Sequence, residues 1–280
     1  MSWCRRYTTR LLLSCVPAWF SFIAISTSPA DMTSPADLTT ASTAPSYSAA
    51  SIVNAATQTA ETLAPNTIAT IYGTNLSWTT QAVTAGDLNG GTLPTSLEGV
   101  TVYVNGIAGS IFFVSPGQIN FLIPYDLLAP SATVYVARQG VAGPPATIQL
   151  ANTSPGFFQW SGNFALAEHA DGSLISSSAP AQAGEIVVLY AAGLGRTSPD
   201  VPSGHIVSVA TSILYASELQ ILLNGDPVPA SSIYYAGAAP GYAGLYQINL
   251  GLPAVLPPDP SIQMVLGAQA SPGAVLLYTQ

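Results

Sequence analysis

The chain carries only two histidines, and one of them stands where a catalytic reading is possible. In EHADGS at 168–173, His169 precedes Asp171 and Ser173, with Ser176 shortly after. A carboxylate that orients an imidazole, which in turn takes a proton from a serine, is the constellation of nucleophilic hydrolysis. The same letters also spell a turn, because Asp, Gly and Ser bend and satisfy the backbone locally. His205 has no such neighbours. Cys4 and Cys15 both lie in the N-terminal segment, and the chain has no G-x-S-x-G elbow, no H-E-x-x-H helix and no P-loop. The expectation is a non-enzymatic protein with no catalytic residue, a hydrolase built on His169 or His205 being the alternative.

Metal and ligand chemistry have few further candidates. Asp87 and Asn89 in GDLNGG at 86–91 offer oxygens to calcium, but the remaining ligands of an EF-hand loop are missing, so a Gly-rich turn is expected and neither a metal nor a cofactor. Gln118 and Asn120 recur as Gln247 and Asn249, and such a polar pair more simply satisfies an adjacent loop or edge strand. Among the aromatics, Trp78 and Tyr242 fall in loops. Rings there give a large contact area at low entropic cost and could stack on sugars or on a partner's apolar groups. The competing reading is that each plugs the end of its own domain.

These side chains must be held by something, and the composition restricts what. Arg5, Arg6 and Arg10 precede an apolar run from Leu11 to Ile25, followed by Ser28, Pro29 and Ala30, which reads as a secretory signal peptide over 1–30. Its removal leaves Arg138 and Arg196 against all thirteen acidic residues, in a chain with no lysine. So few cations cannot neutralise a phosphate backbone or hold an anionic membrane surface, so nucleic acid is excluded as a partner. No later apolar run is long enough for a membrane-spanning helix. Without cysteine after the signal, stability must come from burial, and with 49% hydrophobic and 6% charged residues the surface must be built from Ser, Thr, Asn, Gln and Gly. Residues 31–50 are Ser, Thr, Ala and Pro without periodicity and read as a flexible leader.

From Ile52 onward short β-type runs are broken by Gly, Pro and Asn, and no stretch has a helical period. The runs occur twice. TIATIYGTNL at 67–76 matches EIVVLYAAGL at 185–194, the turns Asn105-Gly106 and Asn224-Gly225 match, and so do the aromatic pairs at 112 and 234 and the Gln-Ile-Asn strands at 118 and 247. The spacing of matched positions drifts only at loops, which places an extra loop in the second copy around 237–244. Val100, Val102 and Val104 share a face, as do Leu219, Ile221 and Leu223. The same holds for Ile119, Phe121 and Ile123 and for Ile248, Leu250 and Leu252; these are the expected core. The pattern predicts an all-β fold of two tandem antiparallel β-sandwiches, the first over 51–160, a connector over 161–182, and the second over 183–280.

The phrases SIVNAAT at 51, APNTIATIYGTNL at 64, LPTSLEGVTVYVNG at 93, FFVSPGQINFLIP at 112, AGEIVVLYAAGLG at 183 and APGYAGLYQINLGLP at 239 resemble the Solibacter-type uncharacterised C-terminal domain of secreted acidobacterial proteins. Each copy more distantly resembles a TIG/IPT immunoglobulin-like module, through the Gly-Thr-Asn-Leu corner at 73–76 and the hairpin at 102–106. The resemblance implies immunoglobulin-like sandwiches in an exported protein and supplies no catalytic residue. It also implies a place at the C-terminus of longer exported chains, an expectation weakened here because little separates the signal from the first copy. The function expected is binding or structural presence at the cell surface or in the medium, with an extracellular protein or a neutral polysaccharide as partner. A carbohydrate-binding module using Trp78 or Tyr242 is the sharper alternative.

Overall fold

The computed structural model describes residues 44–127 and 130–280. The signal peptide and residues 31–43 of the leader lie outside them. Within them the protein is two tandem immunoglobulin-like antiparallel β-sandwiches, with helix confined to single 3-10 turns such as Ala49–Ser51 and Ala85–Asp87.

In the first sandwich one sheet runs in the order Ile52–Asn54, Ile68–Tyr72, Gln118–Leu122, Ile111–Val114 and Gln81–Ala82. The facing sheet is built on Ala146–Leu150, Ser131–Arg138 and Val100–Val104. The second sandwich repeats the plan with Gly156–Phe157, Ile186–Ala192, Tyr246–Gly251, Ile233–Ala238 and Thr211–Ile213 against Leu219–Leu223 and Ile262–Leu266. Every expected core residue is buried between its two sheets, the valines of Val100–Val104 in one core and the Leu219–Leu223 set in the other. Period-2 alternation forces this outcome, because each fully buried Val, Leu or Ile contributes about 1.5–3 kcal/mol and a one-residue slip would expose the whole set.

The two Asn-Gly turns are built alike. Asn105 and Gly106 have φ of 49° and 80°, and Asn224 and Gly225 have 50° and 87°, the left-handed pair a two-residue hairpin needs. Each Asn side chain then bridges to the neighbouring strand: Asn105 Oδ1 accepts from Thr133 N and Asn224 Oδ1 from Ser261 N, both at 2.8 Å.

Two boundaries differ from the sequence reading. The leader becomes ordered before residue 51: Ser46 pairs with Thr74, and the Tyr47 hydroxyl accepts from Val136 N at 2.7 Å while its ring packs on the first core. The stretch read as a connector belongs to the second sandwich. Gly156–Phe157 and Ala167–His169 both pair with Ile186–Ala192, and Ala165, Ala167, Ile175 and Ala181 are core residues. The junction between the sandwiches is therefore 151–155, where Asn54 Nδ2 donates to the Ser154 carbonyl and Thr153 Oγ1 to the Leu266 carbonyl.

A second contact fixes the pair. The loop 199–207 of the second copy lies along the first, with Leu93 N donating to the Gly204 carbonyl, Ile206 N to the Gly91 carbonyl, Tyr125 N to Ser203 Oγ and Asn66 Nδ2 to the Val201 carbonyl. The described residues form one compact unit.

Candidate functional site

The His169 constellation does not assemble as a triad. Strand pairing sets His169 beside Val187, at the start of the long strand, and Nδ1 meets Glu185 Oε1 at 2.5 Å while Nε2 meets the Ala179 carbonyl at 3.2 Å. Both partners are acceptors, so the ring is held as a double donor. Burial pulls its pKa down, but the Glu185 hydrogen bond, the Ala179 carbonyl and the charges of Glu185 and Asp171 outweigh that and raise it. A ring with both nitrogens donating cannot take a serine proton. Asp171 is turned the other way, accepting from Ser173 N at 2.9 Å and Ser173 Oγ at 2.7 Å, bonds that lower its pKa and close the turn. Ser176 Oγ meets Ser178 Oγ, and His205 Nδ1 lies 3.5 Å from Thr92 Oγ1 in the contact between the sandwiches.

The GDLNGG loop is a turn. Asp87 Oδ2 accepts from both Thr84 N and Thr84 Oγ1 at 2.7 Å, which lowers its pKa, and Asn89 pairs through its backbone with Thr92. Among the described residues no three His, Cys, Asp or Glu side chains come together as metal ligands would.

The two loop aromatics are far from equivalent. Trp78 is 55% exposed, yet its inner face covers Arg138, whose guanidinium carbon lies 3.6 Å from the ring centroid. Arg138 is only 1% exposed and donates through Nη1 to the Asn75 carbonyl at the Gly-Thr-Asn-Leu corner, so Trp78 is the lid of a buried cation. Tyr242 is half-buried in the extra loop of the second copy, where its backbone pairs with Val207. The space beside it, bordered by Leu122 and Asn66 of the first sandwich, holds about 10 Å³, room for one water. Both residues therefore sit in structural settings, and the fold does not bring them together into one site.

The repeated amide pair points to a more open surface. In the first copy Gln118 Nε2 donates to Asn120 Oδ1 at 2.8 Å and Thr70 Oγ1 to the same oxygen at 3.0 Å, and with 7% and 6% exposure the two amides are sealed. The partners are the same and the neighbouring strand, not an adjacent loop. Beside them Leu122 and Ile68 underlie Gly244 of the second copy, so this sheet face is closed by the other sandwich. In the second copy Gln247 Nε2 donates to Asn249 Oδ1 at the same 2.8 Å, but both amides are half-exposed. Strand register puts Val188, Tyr190 and Tyr235 on their face, with the Tyr190 hydroxyl donating to Glu168 at 2.9 Å. Burial and the Glu168 charge push that phenol's pKa up, so it stays a neutral donor. One sheet face is thus closed in the first copy and open, aromatic and amide-bearing in the second.

Sequence reasoning missed this face because it tracked what the copies share. The signal lay in what they do not share: FFV at 112–114 becomes YYA at 234–236, and Leu122 becomes Gly251.

No protein-family model matches the chain, and no curated protein matches it. Among solved structures it is similar to a surface glycan-binding protein of Prevotella bryantii, with 11% identity over 74% of this chain and 35% of that one and a TM-score of 0.25. A second is the surface glycan-binding protein of the Bacteroides ovatus mixed-linkage glucan utilization locus, in complex with a mixed-linkage heptasaccharide, with 10% identity, 78% and 40% coverage and a TM-score of 0.31. The full extracellular region of plexin A4 matches with 11% identity, 90% and 20% coverage and a TM-score of 0.27. The chain spans well under half the length of these proteins, and similarity at such scores assigns neither fold nor ligand.

Proposed function

We propose that this is an exported protein that acts by binding at the cell surface or in the medium, with neutral polysaccharide as the ligand class and no chemistry of its own. The observation that carries the reading is the open face of the second sandwich, where tyrosines and a half-exposed amide pair stand on a sheet whose twin in the first copy is sealed. Export rests on the signal-like segment over 1–30.

Charge supports a neutral partner. Arg138 is buried under Trp78, and Arg196 is paired with Asp200 through both its Nε and Nη2 groups, so neither mature arginine is offered to an anion. Hydroxyls and amides exchange hydrogen bonds with a sugar without displacing an ion atmosphere. The engagement of His169 by Glu185 and Ala179 supports binding over hydrolysis, since it withholds the imidazole nearest Ser173 in sequence.

The reading is tested by exposing the mature protein to a glycan array and to isolated cell-envelope fractions. Saturable retention on neutral glycans is expected, unchanged by 0.5 M salt in the sense that charge screening should not release it. Retention only on envelope protein would replace polysaccharide by an extracellular protein as the partner.

A further inference from the structure

The second copy departs from the first at one place that resembles a prepared site. Both copies carry a β-bulge in the aromatic strand: Ile111 and Phe113 pair with Phe121 and Asn120, and Ile233 and Tyr235 pair with Leu250 and Asn249. The extra residue is Phe112 in one and Tyr234 in the other. A bulge re-aims its extra side chain, and what that side chain meets differs between the copies.

In the first copy the bulge is covered. Gln81–Ala82 pairs with Val114 and Phe113, Val83 N donates to the Phe112 carbonyl at 2.8 Å, and Val83 packs on the core. In the second copy the corresponding strand, Thr211–Ile213, pairs only with Ala238 and Gly237 and then turns away to Thr197. Among the described residues no second strand pairs along the outer edge at 233–236, and beside it opens a cavity of about 240 Å³ bordered by Ser212, Ser217, Leu219, Ala230, Tyr234 and Tyr235. None of its bordering residues is charged.

The tyrosines are set in place. Tyr234 is 62% exposed, and its ring edge lies across Gly251, where any Cβ would come within 3.0 Å of Cε2. The first copy has Leu122 at that position, so the floor for this ring exists only in the second. Tyr235 is fixed by its hydroxyl, which accepts from Thr211 N at 2.9 Å and donates to the Ala238 carbonyl at 2.7 Å.

We propose, on the strength of the binding reading above, that the Tyr234 ring and the adjoining cavity form the subsite for a neutral sugar ring of a polysaccharide. A pyranose has an apolar face of C–H groups, for which an exposed tyrosine ring is the complement, and a rim of hydroxyls, for which Ser212 and Ser217 at the cavity border are partners. A ring already seated on a glycine floor loses little entropy on binding. The neutrality of the cavity border fits a neutral ligand and disfavours a uronate or phosphate.

The test uses mature protein in affinity electrophoresis and calorimetry with soluble mixed-linkage β-glucan, xylan, galactomannan and starch. Tyr234→Ala and Gly251→Leu, the second restoring the residue type of the first copy and displacing the ring, should each weaken the best of these ligands about tenfold or more. Trp78→Ala and Tyr242→Ala should leave it within about twofold, inside the usual spread for residues outside a contact. All four are compared at matched far-ultraviolet circular dichroism, so that misfolding is excluded. Undiminished binding in Tyr234→Ala, or loss confined to Trp78→Ala or Tyr242→Ala, overturns the subsite and leaves the polysaccharide reading standing. A folded wild type that binds none of the four overturns both.

Discussion

The imidazole of His169 faces two acceptors, and that geometry has a measurable sign. Its folded-state pKa is raised, so the protonated ring contributes stability below its unfolded pKa, about 6.5, and that contribution is lost as pH rises through the folded value. His169→Gln should therefore destabilise the protein more at pH 5.5 than at pH 9 in urea titrations; equal losses at both would refute the ionised pair with Glu185. Trp78 makes a different claim. If it is the lid of Arg138, Trp78→Ala should lower stability by about 1 kcal/mol or more through loss of the cation–π contact, whatever happens to ligand binding. At this scale the sequence was a poor guide. EHADGS reads as a turn first and only weakly as a triad fragment, and the partner that decides the role of His169, Glu185, is one that no local spacing announces.

At the scale of elements the sequence was far more legible. Strands such as Val100–Val104 alternate cleanly because one face is buried and the other is not, and Asn-Gly marks the only cheap way to reverse them. The misread segment, 161–182, fails for a physical reason. It enters the core through Ala165, Ala167, Ile175 and Ala181, isolated apolar residues of which three are too small to register as a hydrophobic pattern, and its Ser-rich remainder resembles a linker. The open sheet face was hidden differently: matching the copies aligns Phe112 with Tyr234 and Leu122 with Gly251, and the alignment itself draws attention away from the mismatch. An element-level prediction follows from the turns. Asn224→Val, which forces a β-branched residue into φ of 50°, should cost about 2 kcal/mol, whereas Asn224→Gly should cost less, since it loses the Ser261 bridge but keeps the conformation.

For the whole molecule the relevant fact is that the loop 199–207 ties one sandwich to the other by backbone hydrogen bonds at Gly204 and Ile206 and by side-chain bonds at Val201 and Ser203. Gly204 has φ of 74°, and a Cβ there would press on Ser110 and Leu93 of the first copy. Wild-type protein should accordingly unfold in one calorimetric transition. Gly204→Ala should loosen the contact at a cost of about 2 kcal/mol and broaden or split that transition, while the proposed Tyr234 subsite, which shares no residue with this loop, should be unaffected. A single sharp transition in the variant would mean that the short junction at 151–155 is enough to couple the two halves.

The burial of Arg138 beneath Trp78 has a further effect on resistance to proteolysis. With no lysine in the chain, a trypsin-like protease meets only two cleavable bonds among the described residues, and the one after Arg138 joins the last residue of a strand to the turn at Gln139, with its recognition side chain covered. The other follows Arg196, which is clasped by Asp200 and runs directly into the buried Thr197. Digestion of the folded protein should thus be slow, and when it occurs it should yield two fragments divided at 196, held together by the strands that pair across the cut.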